Sequence, residues 1–276
     1  MVTNGLGNNR WQLGALLGGG NFGTVYEAVC VNTGQLAVAK RSWRDELPFQ
    51  LFDEAALLKR VRHPNIIQLY DCYFDEDHCF WVIMERASET LHQAILRDGC
   101  WTDMAVARRG VELLNALMHV HNKGIFHRDV HTGNVLLTRK SSQNEPTIKL
   151  SDFGCAVSPA KNHGRIGIDY LLRYKHRARA WRPSGHTPLQ SDLYDAGLCM
   201  YFMRTGAPAI RYEDAFSIPA VQETTPHRRA QALHSPLGRI IAQMLLPPKD
   251  YQYKNAQEII LDLKLCWPFL GSNSSI

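Results

Sequence analysis

The chain has 276 residues, 45% of them hydrophobic and 21% charged, a composition of a folded globular protein with core enough for one large domain or two lobes. Seven cysteines (Cys30, Cys72, Cys79, Cys100, Cys155, Cys199, Cys266) are scattered without a CxxC spacing, which argues against a disulfide framework or a zinc site and for thiols in a reducing compartment. The net charge of +5 is local, because the segment from Cys155 to Arg182 holds Lys161, Arg165, Arg173, Lys175, Arg177, Arg179 and Arg182 against Asp169 alone, so no nucleic-acid partner is expected.

Residues 1–9 read as a flexible tail rich in Gly and Asn, without the apolar core of a secretion signal. No run approaches the length of a membrane span, so a cytoplasmic protein is expected, with the nucleus left open. From Trp11 two β-rich runs are joined by Gly18-Gly19-Gly20-Asn21-Phe22-Gly23-Thr24-Val25, which fits GxGxxGxV. Such glycines let backbone N–H groups close over phosphates, although a plain hairpin turn accounts for them equally well. A third strand, LAVAKRS, carries Lys40, by itself readable as a snorkelling surface lysine.

Pro48 opens a helix to about Val61, with Leu51, Ala55 and Leu58 on its apolar face and Glu54 among them. A Glu in that setting is ordinarily a solvated flank, but it could pair with a Lys on the preceding strand. Strands are expected at Ile66 to Phe74 and Cys79 to Met84, a connector at Glu85 to Ser88, and a short helix over Thr90 to Leu96. Thr102 caps a long helix to about Asn122.

The run Ile125 to Leu137, IFHRDVHTGNVLL, is too short and too broken by Gly133 for a helix of its own. It reads as a loop between apolar anchors that displays Asp129 and Asn134, a proton acceptor beside a hard-metal ligand, or else an Asx-capped turn. A hairpin with the tip RKSSQNEP leads to Asp152-Phe153-Gly154. Helices follow over Asp192 to Met203, Ser235 to Leu246 and Ala256 to Trp267, and residues 271–276 form a loose tail.

The glycine loop, Lys40, Glu54, Asp129, Asn134 and Asp152-Phe153-Gly154 occur in the order and at about the spacing of a eukaryotic-type protein kinase, which the chain resembles from about Arg10 to Phe269. The resemblance implies an α+β bilobal fold: a small antiparallel N-lobe sheet with one helix over 10–84, a hinge at 85–88 and a mainly helical C-lobe over 89–270. It implies ATP and Mg²⁺ as cofactors and protein Ser/Thr hydroxyls as acceptors. Lys40 would hold the α- and β-phosphates and pair with Glu54. Asn134 and Asp152 would bind metal, and Asp129 would orient the acceptor hydroxyl and take its proton. Leu17, Gly18, Gly19, Gly20, Asn21, Phe22, Gly23, Val25, Val38, Met84, Glu85, Ala87 and Leu136 would form the nucleotide pocket, Met84 as gatekeeper and Glu85 to Ala87 as hinge. Leu58, Leu69, His127 and Phe153 match a stacked apolar column, and Asp192 its helix anchor.

Departures from the family pattern are informative. Val38 stands where Ala is usual. His131 replaces the Lys of Ser/Thr kinases, and no Thr occurs between Cys155 and Pro183, which leaves tyrosine acceptors open. His131 would either bridge Asp129 and the γ-phosphate as an imidazolium or turn away to bond backbone. The APE motif is missing, and so is its Arg partner, expected near Tyr253. Losing both leaves no buried unpaired charge. Arg173, Lys175, Arg177 and Arg179 would select acidic or pre-phosphorylated substrates, or form a solvated face. Arg128 would add a pocket for a phosphate on Ser158, Tyr170 or Tyr174. Two other functions compete. A small-molecule kinase of the aminoglycoside or choline type is favoured by His131, and opposed by Arg128, Asp152-Phe153-Gly154 and the HPNII run from His63. A pseudokinase scaffold is opposed by every filled phosphate and metal position.

Overall fold

The structure, a computed structural model, describes residues 5–6, 10–20, 23–42, 49–139, 145–157, 185–211, 219–251 and 253–270. The chain divides into two units, Met1–Ser88 with Leu136–Cys155, and Glu89–Val135 with Ala156–Ile276.

The first unit is built on a six-stranded antiparallel sheet: β1 (Gly5–Leu6), β2 (Trp11–Gly20), β3 (Gly23–Cys30), β4 (Leu36–Arg41), β5 (Leu69–Phe74) and β6 (Phe80–Glu85), in the order β1-β2-β3-β4-β6-β5. Alternation sorts its side chains into two faces. Trp11, Ala28, Cys30, Ala37, Ala39, Trp81 and Ile83 form a core on one face. The register pairs Val25 with Lys40, Lys40 with Val82 and Val38 with Met84, which puts these residues on the opposite face. Helix α1 (Phe49–Arg60) buries Leu51, Ala55 and Leu58, as its spacing predicts.

Gly5 and Leu6, placed in a loose tail, pair with Gln12 and Trp11, because ladder bonds between backbones need no side-chain pattern. The strand expected from Ile66 starts only at Leu69. The backbone before it is committed elsewhere: Ile67 N–H donates to Leu150 O at 3.0 Å, and Leu150 N–H to Asn65 O at 2.8 Å. Those bonds also explain why β8 (Val135–Thr138), from Leu136 on, and β9 (Thr147–Leu150) group with the sheet. A 3₁₀ turn at Phe153–Cys155 then packs on α1 with Phe153 buried.

The second unit begins with the two-residue strand β7 (Glu89–Thr90) and is otherwise mainly helical: α2 (Leu91–Asp98), α3 (Asp103–His121), α4 (Pro188–Thr205), α5 (Pro219–Gln231), α6 (Pro236–Met244) and α7 (Ala256–Leu270). Thr90, Thr102, Thr187 and Ser235 cap α2, α3, α4 and α6 with side-chain oxygens, and Gly206 closes α4 in the left-handed region. Helix α3 packs against α4 and α7. Helix α5 was not foreseen. Its sequence, PAVQETTPHRRAQ, contains Pro226 and lacks an apolar stripe, so tertiary packing against α6 must hold it. All seven cysteines are free thiols, and among the described residues no helix is long and apolar enough to cross a membrane.

Candidate active site

In the first unit the residue of interest is Lys40. Its ammonium lies 2.7 Å from Glu54 Oε2 and 3.6 Å from Asp152 Oδ1. Lys40 is 9% and Glu54 1% exposed, so neither the snorkelling lysine nor the solvated glutamate describes them. Burial alone would lower the Lys40 pKa; the carboxylates of Glu54 and Asp152 outweigh it and hold the ammonium charged, its pKa raised above the usual lysine range. Burial pushes the Glu54 carboxyl up, opposed by Lys40 and by the Phe153 backbone N–H. Asp152 sits at φ +61°, a strained conformation for a residue with a side chain, and its Oδ1 accepts the Gly154 N–H at 3.3 Å.

The glycine loop is the β2–β3 hairpin, with pairs Gly18–Val25, Gly19–Thr24 and Gly20–Gly23; Asn21 and Phe22 at its tip lie outside the described residues. Its glycines serve different ends. At Gly23, φ +136°, an added Cβ would fall 1.7 Å from the Arg41 carbonyl oxygen, so the fold itself demands glycine. At Gly18 an added Cβ would meet nothing within 4 Å, so the fold does not explain it. Leu17 beside it is exposed, Met84 is buried, and Leu136 and Ala87 are partly buried. The expected hinge is braced from two sides. Glu85 takes Lys149 at 2.8 Å and the Gln68 N–H at 3.2 Å, while Arg86 reaches Glu27 on β3 at 2.6 Å. These braces were not anticipated, since nothing in the spacing links positions 27 and 86 or 85 and 149.

In the second unit the loop after α3 is held from beneath. Fully buried Asp192 on α4 accepts the His127 N–H at 2.8 Å, the Arg128 N–H at 2.7 Å and His121 Nε2 at 2.9 Å. Arg128 sits at φ +65°, and these bonds over-determine that strained turn. His121 went unnoticed in the sequence; its one signal is its position six residues before His127. Buried His127 accepts the Asp129 N–H on Nδ1 at 3.3 Å. Asn134 turns its Nδ2 onto Asp129, 2.9 Å from the backbone oxygen and 3.2 Å from Oδ2. The amide nitrogen being committed, the oxygen is the atom Asn134 can offer a cation. His131 is exposed, with Nε2 3.8 Å from Asp129 Oδ2 and Nδ1 accepting the Gly133 N–H at 3.0 Å.

A model of the protein kinase domain matches residues 11–260. The chain belongs to the protein kinase domain family. Across 94% of its length this kinase domain is 26% identical to "Probable serine/threonine-protein kinase PknB" of Bifidobacterium longum, covering 40% of that protein. Across 72% it is 27% identical to "CBL-interacting serine/threonine-protein kinase 16" of Arabidopsis thaliana, covering 44% of it. The chain thus spans less than half of each relative. Among solved structures, the Rad53 kinase domain shares the fold at TM-score 0.64 and 18% identity, over 86% of this chain and 82% of that one.

The basic segment with Arg173 to Arg182, and the candidate phosphosites Ser158, Tyr170 and Tyr174, lie outside the described residues. Where the missing Arg was expected there are tyrosines. The Tyr253 hydroxyl lies 2.8 Å from both Asp262 Oδ2 and Gln243 Oε1, and Tyr251 stands edge-on to His186, which also tilts against Tyr194. Aromatic rings and the Tyr253 hydrogen bonds fill this corner.

Proposed function

We propose that this kinase domain transfers the γ-phosphoryl group of Mg·ATP to Ser/Thr hydroxyls of proteins. One observation carries the reading above the scaffold alternative. Lys40 is buried and charged between two carboxylates, an arrangement that orients a cation for phosphate oxygens and that apolar residues would replace without loss if only a scaffold were needed. The family and the Ser/Thr kinase relatives favour protein acceptors over choline or aminoglycosides.

Asn134 and Asp152 would each offer an oxygen to Mg²⁺, which suits the ion, since Mg²⁺ is commonly bound through one or two carboxylates plus substrate phosphates. The metal, when bound, neutralises charge on the phosphate oxygens. Gly18 and Gly19 leave backbone room for phosphates, and Val25 and Val38 present an apolar roof beside Met84. Asp129, positioned by Asn134 and His127, accepts the proton of the acceptor hydroxyl. The free thiols support an intracellular setting.

The test is radiolabelled ATP offered with a mixed protein and peptide pool, and in parallel with choline and aminoglycosides. Label in Ser/Thr of the peptide pool is expected, with Asp129→Asn abolishing transfer while nucleotide binding persists. Wild-type transfer by Asp129→Asn, or label only in small molecules, would overturn the reading. The basic run between Cys155 and Arg182 favours acidic or phosphorylated peptides, since guanidinium pairs bidentately with carboxylate and phosphate. A peptide array that selects basic residues instead removes that part.

A further inference from the structure

The turn His131 to Asn134 carries more information than its role as a connector requires. Asn134 N–H and Val135 N–H both donate to the His131 carbonyl, at 2.9 and 3.0 Å, and His92 N–H of α2 donates to the Thr132 carbonyl at 3.1 Å. The backbone that bears the imidazole is therefore fixed from both ends. The ring is fixed as well. Gly133 N–H donates to Nδ1 at 3.0 Å, which is possible because position 133 has no side chain: a Cβ there would lie 2.9 Å from Cε1 and 3.0 Å from Nδ1.

A neutral imidazole has one donor nitrogen and one acceptor. With Nδ1 accepting from backbone, the proton belongs on Nε2. That nitrogen stands 3.8 Å from Asp129 Oδ2, too far for a hydrogen bond between them. The spacing leaves room for the N–H to meet a third oxygen in contact with Asp129.

We propose that His131 serves phosphoryl transfer as a neutral, fixed Nε2–H donor to a phosphoryl oxygen, with Gly133 as the residue that sets its tautomer and ring position. The inference rests on the kinase reading above and deepens it. In the transfer, the acceptor oxygen forms its bond to the γ-phosphorus as the bond to the β,γ-bridging oxygen breaks, and that electron pair leaves with ADP. The acceptor proton passes to Asp129. His131 lends a hydrogen bond only and keeps its proton, so no imidazolium is needed. A lysine in this place reaches the phosphate as a mobile ammonium; the histidine gives up charge and gains a preset direction.

Two measurements test this. The first is the ¹⁵N–¹H imidazole spectrum of the whole chain at about pH 8, with the His131 signals identified by their loss in His131→Gln. Nδ1 in the acceptor range and Nε2 in the protonated range are expected, and an Nδ1–H tautomer or an even mixture overturns the proposal. This readout does not depend on activity, so it stands even if the kinase reading fails. The second is a double-mutant cycle on kcat at saturating ATP, read together with the KM for ATP. Gly133→Ala displaces the ring and lowers kcat by about tenfold or more, with KM for ATP changed less than about twofold. In a His131→Lys background the same Gly133→Ala change lowers kcat by less than about twofold, because lysine does not use the Gly133 N–H. An equal loss in both backgrounds means that Gly133 is needed for the loop alone, and it overturns the positioning role.

Discussion

Lys40 and Glu54 form a buried ion pair at 2.7 Å, strand to helix, inside one unit. Such a pair contributes little net stability compared with a well-packed apolar replacement, yet breaking it from one side is costly because the surviving charge is left buried. Its presence beside a sheet whose buried side chains include Trp11, Ala37, Ala39, Val82 and Ile83 is therefore better explained by chemistry than by stability.

The first prediction follows from that asymmetry. Lys40→Met should cost about 3 kcal/mol of unfolding free energy, because Glu54 loses its counter-charge and Asp152 its neighbour at 3.6 Å. Lys40→Met/Glu54→Leu should recover most of the stability and none of the activity, with kcat down by at least about 100-fold in both. Urea unfolding beside a transfer assay separates the two effects. A double variant that is no more stable than the single one contradicts the account of the pair.

The two ends of the glycine loop provide a second prediction. Gly18→Ala should change stability by less than about 0.5 kcal/mol and raise the KM for ATP several-fold, since only a bound nucleotide would contest that space. Gly23→Ala should cost about 2 kcal/mol or more, because its Cβ would strike the Arg41 carbonyl. Thermal unfolding and ATP titrations of the two variants check the contrast, and similar melting temperatures would refute it.

That contrast also shows how far the sequence was legible. The spacing GxGxxGxV located the hairpin, but only backbone contacts separate the glycine the fold requires from the one it does not. Local period and capping located α2, α3, α6 and α7 well, because Thr90, Thr102 and Ser235 act within their own turn. The start of β5 was misplaced and α5 was missed, since non-local partners decide them: β9 takes the backbone of 65–67, and α6 holds a helix with Pro226 inside it. In the site, Lys40, Glu54 and Asp152 could be named from motifs, but the bonds of His131 could not. Whether an imidazole accepts from Gly133 or reaches toward Asp129 depends on ring orientation, and the structure has it accepting on one nitrogen and facing Asp129 with the other.

The last prediction concerns Asp192, whose two oxygens receive three donors: the His127 and Arg128 N–H groups and His121 Nε2. Asn at this position has one acceptor oxygen, and its NH₂ group would face a donor across a distance of about 2.7 to 2.9 Å. At least one N–H is then left buried and unpaired, at a cost of about 1–3 kcal/mol. The strained φ of +65° at Arg128 is held by the same bonds, so the loop bearing Asp129 should relax as they are lost. Asp192→Asn is expected to lower both the melting temperature and kcat, with kcat down by about tenfold or more, since a 1 Å misplacement of a reacting group can cost about 100-fold. His121→Leu removes the side-chain donor and leaves both backbone bonds, so it should reduce stability by about 1 kcal/mol and kcat by less than Asp192→Asn does. Measuring the two variants side by side distinguishes support of the loop from general support of α3. If His121→Leu proves the more damaging for kcat, the carboxylate is not what positions Asp129.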